Sequence, residues 1–188
     1  MESMGDRILG AAIEAASVHG IGHLSVSDVA KRAGLSRPTV YKHFPSKEAL
    51  VAAAVRREAA AFVTAVTGAI APISDPRQAV GAAVLVTLEL ARQHPLLDRV
   101  VRTEPERLVP LLTTDEGRVL ALVRVPVEAV VAERFPGLDD VTRRRTADVL
   151  VRLLISFALN PPDDPPEVVA DVVAGLLVDG VRAAEGAA

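Results

Sequence analysis

The stretch "VSDVAKRAGLSRPTVYKHFPSKEAL", residues 26–50, decides how the rest of the chain is read. It is polar within a chain that is 50% hydrophobic, and it holds every lysine of the protein (Lys31, Lys42 and Lys47) and its only tyrosine, Tyr41. Ser25, Ser36 and Ser46 each stand where a side-chain oxygen accepts from the free N–H groups that open a helix. Asp28 follows Ser25 at the spacing of a capping box, and the pairs Leu24/Val29 and Leu35/Val40 have the spacing of hydrophobic staples. Pro38 falls in a first helical turn, where its missing N–H costs little, and Gly34 suits a left-handed C-cap after a helix ending at Ala33. These signals agree on a short helix, a tight turn, a second short helix, and a longer helix from Lys47 to about Thr67.

Two such helices need a small residue where they approach, a backbone reversal, and an apolar plug from the second into the first. Ala30, Gly34 and Val40 supply these in order, and Val29, Ala33 and Leu35 complete a small core. The pattern is a helix-turn-helix, and an ordinary helical corner is the alternative. In such a unit the second helix enters the major groove of DNA with its N-terminal side chains on base edges. Ser36 at its start, Arg37, Thr39, Lys42 and His43 are the candidate readers, with Pro38 offering apolar contact to a thymine methyl. Tyr41 and Lys47 are placed to reach phosphates, as are backbone N–H groups at the helix starts near Val26 and Lys47.

The whole-chain net charge of −3 hides a division. Residues 1–60 carry eight Lys/Arg against six Asp/Glu, and residues 61–188 carry thirteen against eighteen, giving +2 and −5. A mildly basic head therefore precedes an acidic body. Aromatic residues are only 3%, so any core is Ala, Val and Leu, and 188 residues can bury a sizeable one. There is no cysteine, which excludes disulfides and thiolate metal sites. His19 and His23 have helical metal-pair spacing, but Gly20 and Gly22 beside them make a turn the better reading, and no metal is expected. The N-terminal residues lack the basic start of a signal peptide. The longest apolar run, Ala79 to Leu88, falls short of the roughly 20 residues that span a bilayer, so a cytoplasmic protein without membrane contact is expected. No nucleophile–base pair, metal cluster or phosphate loop occurs, so neither an enzyme nor a cofactor is expected.

The rest of the chain reads as helices: Met4 to His19, Pro76 (capped by Asp75) to Gln93, short segments after Pro95 and Pro105, about Asp115 to Arg134, about 139–159, and about 165–184. Pro126 predicts a kink in its helix, and Asp164 with Glu167 a further capping box. The expectation is an all-α fold of about nine helices, without strands.

"ILGAAIEAASVHGIGHLSVSDVAKRAGLSRPTVYKHFPSKEALVAAAV" resembles the N-terminal domain of the tetracycline-repressor (TetR) family of transcription regulators, over about residues 5–55. The resemblance implies a homodimer with an N-terminal DNA-binding domain and a C-terminal domain that binds a small effector, the effector relieving repression. It divides the chain into residues 1–50 for DNA binding (the motif at about 25–44), 51–67 as connecting helix, and 68–188 for effector binding and dimerisation. Arg7 is the only basic residue before the motif, so a minor-groove arm is not expected.

The last two helices, "ADVLVRLLISFAL" and "VVADVVAGLLVDGV", are apolar on more than one face. A partner subunit covering them as a four-helix bundle accounts for this; burial within one thick core is the alternative. Ala170, Ala174 and Gly175 are expected to allow close approach of the partner. An effector pocket is expected among Val84, Leu88, Leu97, Val101, Leu112, Val119, Leu122 and Val123, with Glu89, Arg92, Arg124, Arg152 and Ser156 as polar groups. Each polar group has a plainer reading as a salt bridge or solvated side chain, Arg152 with Asp148 above all. The scarcity of aromatics points to an aliphatic, lipid-like effector. Double-stranded DNA with a palindromic site, a second copy of the chain and a small molecule are thus the expected partners. A protein-interaction module and a ligand-dependent activator are the alternative functions.

Overall fold

The computed structural model describes residues 3–114 and 119–185. Ten α-helices and no strand occur among the described residues: α1 Met4–His19, α2 Val26–Arg32, α3 Arg37–His43, α4 Lys47–Ile70, α5 Pro76–Gln93, α6 Pro95–Thr103, α7 Pro105–Thr113, α8 Val119–Arg134, α9 Asp140–Leu159 and α10 Pro166–Glu185. The expected count rises by one because the segments after Pro95 and Pro105 are separate helices. The expected start of α8 at Asp115 lies outside the described residues. α8 continues on both sides of Pro126.

The local signals act largely as the residues dictate. Ser36 Oγ accepts from the Thr39 N–H, Ser46 Oγ from Ala49 and Asp75 Oδ1 from Gln78, at 3.3, 3.1 and 2.8 Å. Two caps differ. The Ser25 hydroxyl accepts from Ser27, and Asp28 turns instead to Arg32 one turn on, at 2.9 Å, so the capping box there is not formed. α10 begins after Pro165, whose carbonyl accepts from Val168 and Val169, one residue later than a cap at Asp164 requires. A true capping box forms at Ser3 and Asp6.

Between α2 and α3 the chain reverses through Gly34 at φ 64°. The Leu35 N–H reaches the Ala30 carbonyl at 2.8 Å and the Gly34 N–H that of Lys31 at 3.1 Å, the paired bonds of a Schellman motif. Val29, Ala30 and Val40 are buried, as are Ile8, Ala12, Leu24 and Leu50 of the same compact unit.

The helices gather into two compact units that do not follow chain order. In one, α1, α2, α3 and α4 as far as Ala59 cluster with α6 and α7, and α1 packs on both α2 and α6. In the other, the rest of α4 clusters with α5, α8, α9 and α10. There α5 is central, as its apolar run predicts: no residue from Ala79 to Leu88 is exposed, and Val84 and Leu88 pack with Val169, Ala170 and Val173 of α10. A second cluster joins Val131, Phe135, Leu138, Ala147, Val178 and Val181. Ala170 and Ala174 are buried within this chain, where a Cβ on Gly81 of α5 would touch both, and Gly175 lies beneath Arg77. The small size of Ala170 and Ala174 thus serves packing inside this chain.

Gly34→Ala forces a Cβ into left-handed backbone and is expected to cost about 1–2 kcal/mol, lowering the melting temperature by roughly 2–8 °C. At α9, the Thr142 hydroxyl and the N–H groups of Thr142 and Val141 donate to Asp139 and hold its carboxyl below its ordinary pKa. Its contribution is therefore present above the ordinary aspartate range and lost only as pH falls through the lowered value. Asp139→Asn is expected to be less stable than wild type near neutrality, with the two denaturation curves converging in strong acid.

Candidate nucleic-acid interface and effector cavity

α3 is seven residues long and buries only Val40. Arg37, Pro38, Tyr41, Lys42 and His43 are exposed, as is Ser36 at its start. Thr39 is half-buried, and its Oγ1 lies 2.8 Å from Ser36 Oγ, so two of the expected readers are tied to each other at the cap. The His43 ring sits 6.4 Å from that of Phe44, centroid to centroid. The exposed surface of α3 therefore offers two cations, an imidazole, a phenol and a proline ring, the side-chain types that contact base edges and phosphates.

Other charged groups near this helix are spent on holding it. Arg7 Nη2 donates to the Ala33 carbonyl at 2.6 Å, closing the C-terminal end of α2, and Arg57 Nη1 donates to Asp6 O at 2.6 Å. Lys47, expected at a phosphate, sends its Nζ to the Gly22 carbonyl at 2.7 Å. The Gly22 N–H meets Glu104 Oε2 at 2.5 Å, so both polar groups of this residue are taken. Glu104 links α6 to α7, and a Cβ on Gly20 or Gly22 would run into its carboxylate. His94 caps α6 by accepting from the Leu97 N–H at Nδ1, which leaves Nε2 to donate to Glu58 of α4 at 2.6 Å. The "HGIGHL" turn is thus a clamp, and among the described residues no group of three or more His, Cys, Asp or Glu could hold a metal.

In the other unit an apolar cavity of about 60 Å³ lies among α4, α5, α8 and α9, walled by Val66, Ile70, Val80, Val130, Leu150 and their neighbours. Its polar members are Thr67 and Arg134. None of the thirteen residues expected at a pocket lines it. Val84 and Leu88 are in the core with α10. Glu89, Arg92 and Ser156 are exposed, and Arg152 is exposed and paired with Asp148 at 2.7 Å. Leu122, Val123 and Arg124 are half-buried on α8. Leu97, Val101, Leu112 and Val119 cluster with the other compact unit. Arg134 escaped the sequence reading because its partners are carbonyls: Nη2 donates to Ile70 O at 2.8 Å and Nη1 to Ile73 O.

α9 and α10 also leave apolar side chains outside. Val141, Val149, Val168, Val172 and Leu176 are between 46% and 72% exposed, and the last three follow each other at i, i+4, i+8 along α10. Beside them Val149, Leu176, Leu177 and Val181 border a shallow groove. No helix among the described residues is long and apolar enough to cross a membrane.

The geometry separates the two exposed-looking lysines. Lys42→Ala is expected to weaken DNA binding and reduce the slope of log K against log salt by about one, with an unchanged melting temperature. Lys47→Ala loses the bond to Gly22 and is expected to cost about 0.5–1.5 kcal/mol of stability. Thermal melts and salt titrations of the two variants check the assignment.

Comparison with known proteins agrees with this arrangement. Residues 8–54 match the family model for bacterial regulatory proteins of the tetR family, and residues 75–178 match that for the C-terminal domain of the bacterial tetracyclin repressor. An HTH-type transcriptional regulator of Mycobacterium tuberculosis is 29% identical over 188 residues, 100% of this chain and 90% of that one. Among solved structures, the TetR-family repressor AlkX from Dietzia, implicated in biodegradation of n-alkanes, superposes with a TM-score of 0.77 at 24% identity, covering 96% of each chain. FadR from Bacillus subtilis, in complex with stearoyl-CoA, superposes at 0.60 with 20% identity over 93% of this chain and 97% of that one. With a helix-turn-helix whose exposed face suits DNA and a family match over both of its parts, the chain belongs to the TetR family: it is a DNA-binding transcriptional regulator and not an enzyme.

Proposed function

We propose that the protein is a cytoplasmic repressor that binds a palindromic operator as a homodimer and lets go when a small aliphatic molecule enters the cavity beside α4. The observation that carries the DNA reading is α3, which buries one valine and presents Arg37, Tyr41, Lys42 and His43 to solvent. Regulators of this family bind DNA as dimers and respond to small effectors, and the exposed stripe on α9 and α10 supports those helices as the dimer contact. A partner copy would bury Val168, Val172 and Leu176 and fill the groove beside them. Two copies of α3 about 34–36 Å apart would then face successive turns of one major groove.

The functional division follows the sequence reading: residues 1–50 read DNA, 51–67 connect, and 68–188 bind the effector and the partner subunit. α4 belongs to both compact units. Val66, Thr67 and Ile70 near its C-terminal end line the cavity, so an occupant acts on this helix directly. Ligand that binds one arrangement of α4 better than another shifts the population between a DNA-competent dimer and one with misplaced α3 helices. The aliphatic reading is supported by walls that hold Phe135 as their only aromatic ring. Likenesses to FadR, solved with stearoyl-CoA, and to AlkX, implicated in n-alkane biodegradation, point the same way.

Selection of bound duplexes from a random pool by the purified protein is expected to return a two-fold symmetric sequence, and recovery of no enriched sequence contradicts the reading. Leu176→Glu places a charge in the proposed dimer face. It is expected to shift sedimentation from dimer to monomer and abolish binding to the full site without unfolding the chain.

A further inference from the structure

One turn of the DNA-reading unit is gripped by residues from far along the chain. Gly22 stands between α1 and α2, and both of its backbone groups bond outside that turn. Its N–H donates to Glu104 Oε2 at 2.5 Å, and its carbonyl accepts from Lys47 Nζ at 2.7 Å. Lys47 opens α4, shortly after α3 ends at His43. Glu104 stands between α6 and α7, which cluster with α1, α2 and α3 rather than with the α5 and α8 that flank them in sequence.

The carboxylate is fitted to this turn. The Glu104 side chain is only 13% exposed, and Arg107 Nε lies 3.4 Å from the same Oε2. A Cβ on Gly20 would collide with Oε1, and one on Gly22 would lie 2.7 Å from Oε2. Gly20 is at φ 86°, a conformation that favours glycine in any case. Gly22 is not among the glycines of positive φ, so space for the carboxylate accounts for the glycine there. Desolvation offsets much of what so enclosed an ion gains from its partners, which leaves position as its main effect.

The apolar packing nearby fixes that position poorly. α3 packs on α2, α2 on α1, and α1 on α6. The buried residues of α1 are one isoleucine and four alanines. Small side chains interlock weakly, and hydrophobic attraction has no preferred direction. A short bond to a carboxylate has one.

We propose that Glu104 is a positioning residue for DNA reading: by holding the Gly22 N–H it sets the α1–α2 turn, and with it α2 and α3, on α6 and α7. The inference goes beyond the assignment of α3 as the reading helix and rests on it. Without the bond the turn takes several placements on α6. Only some of them present α3 correctly, so apparent affinity falls with the fraction that does. The reach of the side chain carries this effect. Loss of its charge alone would strengthen attraction to phosphates, so reach and charge predict opposite signs.

The test compares Glu104→Asp and Glu104→Gln with wild type in the full chain, on the duplex recovered by selection and well below each melting temperature. Glu104→Asp keeps the charge but falls short of the Gly22 N–H, and is expected to bind about tenfold more weakly. Glu104→Gln keeps the reach and an acceptor oxygen, and is expected to stay within about threefold of wild type. The slope of log K against log salt is expected to be the same in all three, because no phosphate contact is gained or lost. Gly22→Ala disturbs the bond with Glu104 in place, since its Cβ presses on Oε2 and on Arg107 Nε. It is expected to weaken binding in wild type and to change it by less than about twofold when added to Glu104→Asp. Wild-type affinity in Glu104→Asp, a loss in Glu104→Gln as large as that in Glu104→Asp, or additive losses with Gly22→Ala overturns the role of Glu104 and leaves α3 as the reader. Failure of wild type to enrich any duplex overturns the reading of α3 itself, and this inference with it.

Discussion

Two helices of seven residues each cannot stand alone in water, because a helix so short barely repays its nucleation. The turn at Gly34 is what makes them a unit. A left-handed residue there lets two backbone bonds close the end of α2 while the next three residues swing into the start of α3. Everything that concerns DNA depends on that reversal, since it sets which face of α3 looks outward. Val40 points one way into the head's core, and Tyr41, Lys42 and His43 are left on the other.

Around the turn, charged side chains act as internal staples. Arg7 closes the end of α2, Lys47 holds the Gly22 carbonyl, and Glu104 holds the Gly22 N–H from a segment 82 residues further along the chain. Such bonds between charged groups and backbone are individually modest but directional. They engage Arg7 and Lys47 within the fold, while Arg37 and Lys42 are exposed on α3. The same economy recurs at the far end of α4, where Arg134 joins the Ile73 N–H on the Ile70 carbonyl. α4 is thus held from outside the helix at both ends, at its first residue by the bond from Lys47 to Gly22 and at its last by the bond from Arg134 to Ile70.

How much of this was legible in the sequence follows from range. The serine caps, Pro38, Gly34 and the helix-turn-helix core are decided within four residues of each position, and the sequence reading located each of them correctly. Bonds such as Arg134 to Ile70, 64 residues apart, leave no local trace. α4 accordingly runs three residues past the end expected at Thr67. The cavity beside α4 is lined by none of the residues expected at a pocket, for a related reason. In a chain built of Ala, Val and Leu every apolar stripe looks alike, and period 3.6 says which face is buried without saying which neighbour covers it. Ala170 and Ala174 show the same ambiguity: small residues signal close approach, here to α5 of the same chain.

Whether α3 reads DNA as one of a symmetric pair is read out by hydroxyl-radical footprinting on a bound duplex. Two protected patches are expected on each strand, related by a two-fold axis and centred about one helical turn, roughly 34–36 Å, apart. A single unsymmetric patch, or uniform weak protection along the duplex, would contradict it.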